Sequence, residues 1–210
     1  MDELELTKVL KSLEDEGLGN IDASDLTFET ADIIKLLSNN EELQKPTSKI
    51  YNFFKKILIA KYAMHYSNNN ILEESLGVKI NFPYFSFGNI NSRHFFGLDE
   101  LLIHDFYIRN KARYKYVADI GCNCGLHSKI LCELGYQVDS YEPDLRHIEM
   151  AKSLLSGYTN NNFYEKAVSN YSGKANFTRI VNNSTGSYIN DKKTSYGPTE
   201  TYEVEVINSF

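Results

Sequence analysis

The sequence is poor in the features that mark several classes of protein. It holds only three cysteines, all between Cys122 and Cys132. An odd number so clustered offers no disulfide framework and points to a reducing setting. No uninterrupted apolar run approaches the ~18 residues of a membrane span, so stable membrane insertion is not expected. The N-terminus, Met1-Asp2-Glu3-Leu4-Glu5, is acidic and lacks the basic-then-apolar order of a signal peptide. A cytoplasmic location is the resulting expectation. Positive charge is also scarce: 22 Lys plus Arg against 28 Asp plus Glu give a net charge of −6 and a pI of about 5.4. Such a balance disfavours binding to a phosphate backbone, and no nucleic-acid partner is expected. Internal repeats are lacking as well.

What is present is ordinary for a globular chain: 210 residues, 42% hydrophobic and 24% charged. That suffices for one sizeable core, or for one domain with a helical appendage. The first 50 residues are acidic, with 5 Lys against 12 Asp plus Glu. Leu4, Leu6, Val9, Leu10 and Leu13 repeat at helical spacing until Gly17. A second short helix is predicted over Glu29 to Leu37. After Pro46, an apolar stripe of Ile50, Phe53, Phe54, Ile57, Leu58 and Tyr62 is flanked by Lys49, Lys55, Lys56 and Lys61. A basic amphipathic helix can lie on a membrane, but a core-facing helix with a solvated lysine face is the preferred reading. The aromatic cluster Phe82, Tyr84, Phe85 and Phe87 could stack bases or sugars; the acidic balance favours core packing. Leu98 to Arg109 reads as a helix burying Leu98, Leu101, Leu102 and Phe106.

From Tyr116 the pattern alternates between strand and helix. Tyr116 to Ile120 reads as a short buried strand, Gly121 to Gly125 as a turn, and Leu126 to Leu134 as a helix closed by Gly135. Gln137 to Tyr141 is a second strand. Leu145, Ile148, Ala151 and Leu155 mark the next helix, with Asn160 to Asn162 closing it. Phe163 to Val168 is a third strand, and further strands cover Ala175 to Val181 and Tyr202 to Ile207. This alternation implies an α/β fold with a parallel sheet and helices on its faces.

The turn Asp119-Ile120-Gly121-Cys122-Asn123-Cys124-Gly125 is the main functional signal. Glycines after a parallel strand let a cofactor approach the backbone, and the following helix aims free N–H groups and its positive dipole end at that spot. Such a loop can hold a dinucleotide or S-adenosylmethionine. A dinucleotide fingerprint needs a second glycine where the pyrophosphate presses on the backbone; Asn123 stands there instead. Asn tolerates left-handed backbone angles. Asp119 would repel a pyrophosphate, yet could accept hydrogen bonds from an ammonium group. Glu142 follows Gly121 by 21 residues, at the end of the second strand. An acid about 20 residues on is placed to accept both hydroxyls of a ribose.

The run Val117-Ala118-Asp119-Ile120-Gly121-Cys122-Asn123-Cys124-Gly125-Leu126-His127-Ser128, with Tyr141-Glu142-Pro143-Asp144, resembles the FkbM family of class I methyltransferases. Lys166-Ala167-Val168-Ser169 with Gly173 is similar to its third-strand segment, and Asn182 to Ser187 to the polar loop that follows. The resemblance covers roughly residues 95 to 210. It implies a Rossmann-like class I methyltransferase domain over 96–210, preceded by a mainly helical N-terminal extension over 1–95. S-adenosyl-L-methionine is the implied cofactor. Asp119, Gly121, Cys122, Asn123 and Gly125 would contact its methionine portion and Glu142 its ribose. Pro143, Asp144, Lys166 and Ala167 would line its adenine. The implied reaction is methyl transfer to a hydroxyl of a sugar or small metabolite.

Two departures bear on this reading. Cysteines stand at 122 and 124, where the family has small or aliphatic residues. The family also continues beyond the segment matched by Glu203 to Val206 into further sheet. The expectation is therefore a sheet shortened after Val206, with an open strand edge that a dimer or another segment would protect. A shortened, non-catalytic module that binds the cofactor or docks a partner is the alternative function; a nicotinamide dehydrogenase is disfavoured by Asp119 and Asn123. His127, opening the helix beside the loop, is the candidate general base, with His104-Asp105 as a second acid/base candidate. Cys122, Cys124, His127 and Cys132 could be drawn as a zinc set, but their spacing matches no common structural site, and no structural metal is expected in the chain.

Overall fold

A computed structural model describes residues 29–66, 71–189 and 197–208. The helix expected between Leu4 and Leu13 lies outside these residues. Two helices come first, α1 (Thr30–Ser38) and α2 (Lys49–His65). The Ser48 side chain caps α2 by accepting from the Tyr51 N–H. The predicted apolar stripe of α2 faces inward: Ile50, Phe53, Phe54, Leu58 and Tyr62 are buried. Its lysines remain at the surface side, with Lys55 reaching Asp99 at 3.3 Å and Lys61 reaching the Thr30 hydroxyl at 2.7 Å.

Two small antiparallel hairpins follow: β1 (Leu72–Ser75) with β2 (Val78–Phe82), and β3 (Ser86–Phe87) with β4 (Ile90–Asn91). A 3₁₀ turn over Ser92–Phe96 leads into α3 (Leu98–Asn110). The aromatic cluster is core, as its composition suggested. Phe82 is fully buried and meets Phe85, Phe95 and Phe96 edge-on at 5.3–6.2 Å between ring centres. One core joins α1, α2, β2 and α3 to Cys124, Leu126 and Ile130. In α3 the buried residues are Leu98, Leu101 and His104, whereas Leu102 is half-buried and Phe106 is 51% exposed. The expected stripe is thus rotated: the inner face runs through successive i+3 positions and drifts away from Phe106.

The remainder is mixed α/β. Strands β5 (Tyr116–Ile120), β6 (Gln137–Tyr141) and β7 (Asn161–Tyr164) form a parallel sheet in that order, with α4 (Leu126–Glu133) and α5 (Leu145–Leu154) as its crossovers. Both helices cover one face, where Leu131, Val138, Ile148, Ala151 and Leu155 are buried together. On the other face Tyr116 and Ile120 are 73% and 59% exposed. The expectation of a buried first strand is therefore corrected. Strand β5 pairs only with β6 among the described residues, and no helix among them covers its outer face. Leu145, expected on the inner face of α5, is likewise exposed.

The third strand is also corrected. Asn161 and Asn162, expected in a loop, belong to β7, and the predicted Phe163–Val168 run breaks at Glu165-Lys166. Beyond that break β8 (Ala167–Ser169) joins a different sheet with β9 (Gly173–Ile180), β10 (Tyr188–Ile189) and β11 (Thr199–Asn208), ordered β10-β9-β11-β8. Strand β11 is antiparallel to β9 and parallel to β8, so the segment ending at Val206 lies inside a sheet rather than at its edge. Among the described residues the edges are β5 and β7 in the parallel sheet and β10 and β8 in the second sheet. Among the described residues no helix is long and apolar enough to cross a membrane.

Candidate functional site

The loop 121–125 leaves the C-terminal end of β5 and turns at once into α4. Its shape depends on three positive φ angles: +76° at Gly121, +52° at Asn123 and +87° at Gly125. The two glycines adopt these angles without a Cβ penalty, and Asn123 takes the left-handed conformation its residue type favours. The Asn123 side chain then accepts from the Cys124 N–H at 2.7 Å, stabilising the bend. Gly125 also allows close packing: a Cβ there would stand 2.9 Å from the Ala151 Cβ of α5 and from the Cδ1 of Leu155 at its C-terminal cap. At Gly121 no atom of the described residues lies within 4 Å of where a Cβ would be, so its backbone faces open space among them. Loop and neighbouring strand are tied together, because the N–H groups of Gly121 and Cys122 both donate to the Tyr141 carbonyl, at 2.8 and 3.0 Å.

Glu142 is 5% exposed at the end of β6. Its Oε2 accepts from the Asn123 N–H at 2.9 Å and its Oε1 from the Asp144 N–H at 2.8 Å. Burial pushes the carboxyl up to about 7, against these two bonds, which favour the charged form. Each oxygen keeps a second lone pair for a further donor. Asp119 accepts from the Ser128 hydroxyl at 2.6 Å. Ser128 contacts Ser140 at 2.7 Å, and Ser140 contacts the Asn161 side chain, also at 2.7 Å. Two hydroxyl protons must serve three contacts. All three are bonded when the Asn161 amide presents its NH2 group to Ser140, which also gives its otherwise unpartnered buried Nδ2 an acceptor. Asp119 is thus held by a chain of hydrogen bonds running beneath all three parallel strands.

The structure therefore brings Asp119, the loop and Glu142 to one end of the sheet. Pro143 and Asp144 follow directly, but Asp144 has other work. It is 1% exposed, caps α5 by accepting from the Arg146 N–H at 3.0 Å, and pairs with Arg179 Nε at 2.7 Å. Lys166 and Ala167 belong to the break and the second sheet: Lys166 pairs with Glu205 at 2.9 Å, and Ala167 is buried opposite Val206. Cys122, Cys124 and Cys132 are free thiols, all buried. Burial pushes Cys124 and Cys132 up to about 12 and Cys122 further, so they stay protonated and unreactive near neutral pH.

His127 points away from the loop, toward α3. Its Nε2 lies 3.1 Å from Glu100 Oε2 and its Nδ1 lies 3.0 Å from the Tyr107 hydroxyl. Burial pulls its pKa down, but the Glu100 hydrogen bond and the charges of Asp119 and Glu100 outweigh this and raise it. His104 stands beside it, ring centres 5.4 Å apart, and is fully buried. Burial, with the nearby His127 charge, lowers its pKa to about 3, so this ring is neutral. His104 Nδ1 lies 3.4 Å from Ser75 Oγ, while Nε2 has no hydrogen-bond partner among the described residues; leaving a buried polar group unpaired costs on the order of 1–3 kcal/mol. His104 was legible as an acid/base candidate, but Glu100 and Tyr107 were missed. The i, i+4 spacing of Glu100 and His104, with Tyr107 three residues on, was the available signal. A cleft of about 580 Å³ lies elsewhere, lined by Asn81, Pro83, Phe85, Lys129, Met150 and Leu154 among others, and includes neither the loop nor Glu142.

No protein-family model matches the chain, and no curated protein matches it.

Proposed function

We propose that the end of the β5–β6–β7 sheet binds S-adenosyl-L-methionine, and that the chain is a methyltransferase of the FkbM type acting on a hydroxyl of a sugar or small metabolite. The observation that carries this reading is the hydrogen bond from the Asn123 N–H to Glu142. It makes the glycine loop and the strand-end acid a single unit, with Asp119 on the neighbouring strand. The residues suit the cofactor: there is no pyrophosphate to meet the Asp119 charge, and open space lies at Gly121. When bound, S-adenosylmethionine supplies an electrophilic methyl group for in-line displacement by an oxygen. Asp119, oriented by Ser128, would accept from the ammonium group. Glu142 would accept from the ribose hydroxyls with its remaining lone pairs. Pro143, Asp144, Lys166 and Ala167 would line the adenine, Asp144 through its bulk, since its oxygens serve α5 and Arg179. Alignment of donor and acceptor supplies much of the acceleration in such a displacement. His127 can take a proton from an acceptor hydroxyl only by giving up Glu100 or Tyr107, so it is a conditional base.

A second reading, a cofactor-binding or partner-docking module without turnover, draws on the face and edge of β5 left open among the described residues. Calorimetry with S-adenosylmethionine and NAD side by side tests the shared premise. Preference for S-adenosylmethionine is expected, and Glu142→Ala should weaken it by about 1.5–3 kcal/mol, the scale of hydrogen bonds to a charged group. Equal or tighter binding of NAD would reject the cofactor assignment. Binding without methyl transfer to any sugar hydroxyl would select the second reading.

A further inference from the structure

We propose that Glu100, His104 and His127 form a binding site for one divalent transition-metal ion, with zinc as its natural probe. The three residues come from two helices, α3 and α4, and each offers one ligand atom, all within 4.8 Å of one another. Glu100 and His104 lie one helical turn apart, so they project from the same face of α3. Among the described residues no other group of three His, Cys, Asp or Glu side chains converges in this way. The cysteines considered from the sequence do not take part.

The independent sign of a ligand is His104. Its ring is fully buried, Nδ1 is turned to Ser75, and Nε2 meets no donor or acceptor among the described residues. Buried ring nitrogens are almost always satisfied, and a buried imidazole with an unsatisfied nitrogen, clustered with a carboxylate and a second imidazole, is what a cation would complete. The outer contacts suit the same role. Metal-bound imidazoles commonly donate their other N–H to an oxygen, and here Ser75 and Tyr107 stand at the two Nδ1 atoms. On binding, the proton between His127 Nε2 and Glu100 leaves to solvent, and Nδ1–H donates to Tyr107. Tetrahedral zinc with ligand bonds of 2.0–2.1 Å needs donors about 3.4 Å apart. His127 and Glu100 already stand at 3.1 Å, and the widest gap must close by at most about 1.5 Å. Glu100 and His127 side chains are 34% and 29% exposed, which leaves an entry path and a fourth position for water. Two imidazoles and a carboxylate suit zinc and its first-row neighbours better than magnesium or calcium.

Equilibrium dialysis of the 210-residue chain against zinc, with elemental analysis, tests this. One equivalent should be retained at micromolar free zinc, and thermal unfolding should shift upward with it. Glu100→Gln and His127→Gln should each weaken retention at least tenfold while circular dichroism stays native; neither depends on removing the deeply buried His104. The cobalt-loaded chain should show a nitrogen- and oxygen-ligand spectrum without a thiolate charge-transfer band. No stoichiometric zinc, variants that bind as the native chain does, or a thiolate band would each overturn the proposal.

Discussion

Gly125 and Gly135 offer a controlled test of how the loop is held against α5. They bracket α4 and have nearly the same backbone angle, φ +87° and +89°. Replacing either by alanine incurs the left-handed penalty, about 1–2 kcal/mol. Their surroundings differ. A Cβ at Gly135 meets nothing within 4 Å, whereas at Gly125 it falls 2.9 Å from the Ala151 Cβ and 3.0 Å from the Ala151 Cα. The second of these is backbone-linked and cannot swing aside, so α4 and α5 must part. Overpacking of this kind costs typically a further 1–3 kcal/mol, for a total near 2–5 kcal/mol at Gly125. Urea unfolding of the two variants, with the denaturant slope checked for constancy, measures the difference directly. Equal losses in Gly125→Ala and Gly135→Ala would refute the claim that close helix contact, rather than backbone angle alone, demands glycine at the start of α4.

Glu142 should make stability depend on pH in an unusual direction for a carboxylate. Its folded pKa, about 7, lies above the ordinary 4.5, so the folded state holds the extra proton between those values and stability falls as pH rises through that window. Unfolding measured at pH 5 and pH 8 should show a steeper decline in the native chain than in Glu142→Gln, by up to about 3 kcal/mol; parallel declines would mean the carboxyl is not held in this way. Arg179→Met should leave the Asp144 carboxylate, 1% exposed, without its 2.7 Å partner, and cost about 3–5 kcal/mol in urea unfolding. A loss below 1 kcal/mol would show that Asp144 needs only its helix-capping bond.

Local order in the sequence carried the helices and the loop. The apolar spacing of α2, the turn over 121–125 with Asn123 in a left-handed conformation, and Gly135 after α4 all appear where residue type alone placed them. These features depend on neighbours within one or two turns, where backbone sterics and side-chain periodicity act directly. Glu142 was legible for the same reason, as an acid at a strand end at a fixed distance from a glycine turn. Its bond to Asn123 required the parallel register of β5 and β6, which only folding supplies.

Burial and partnership were decided by the tertiary structure. Tyr116 and Ile120 have the composition of a core strand, yet their exposure depends on what packs across the sheet. Phe106, expected inside, is exposed while His104 is buried, because the line of contact on α3 is set by its neighbouring elements, not by hydrophobicity alone. The continuous run 163–168 divided between two sheets because Ala167 finds its partner in Val206, almost forty positions away. Glu100, His104 and His127 converge for the same physical reason. Periodicity tells which residues share a face, but only packing of one helix on another tells what that face meets.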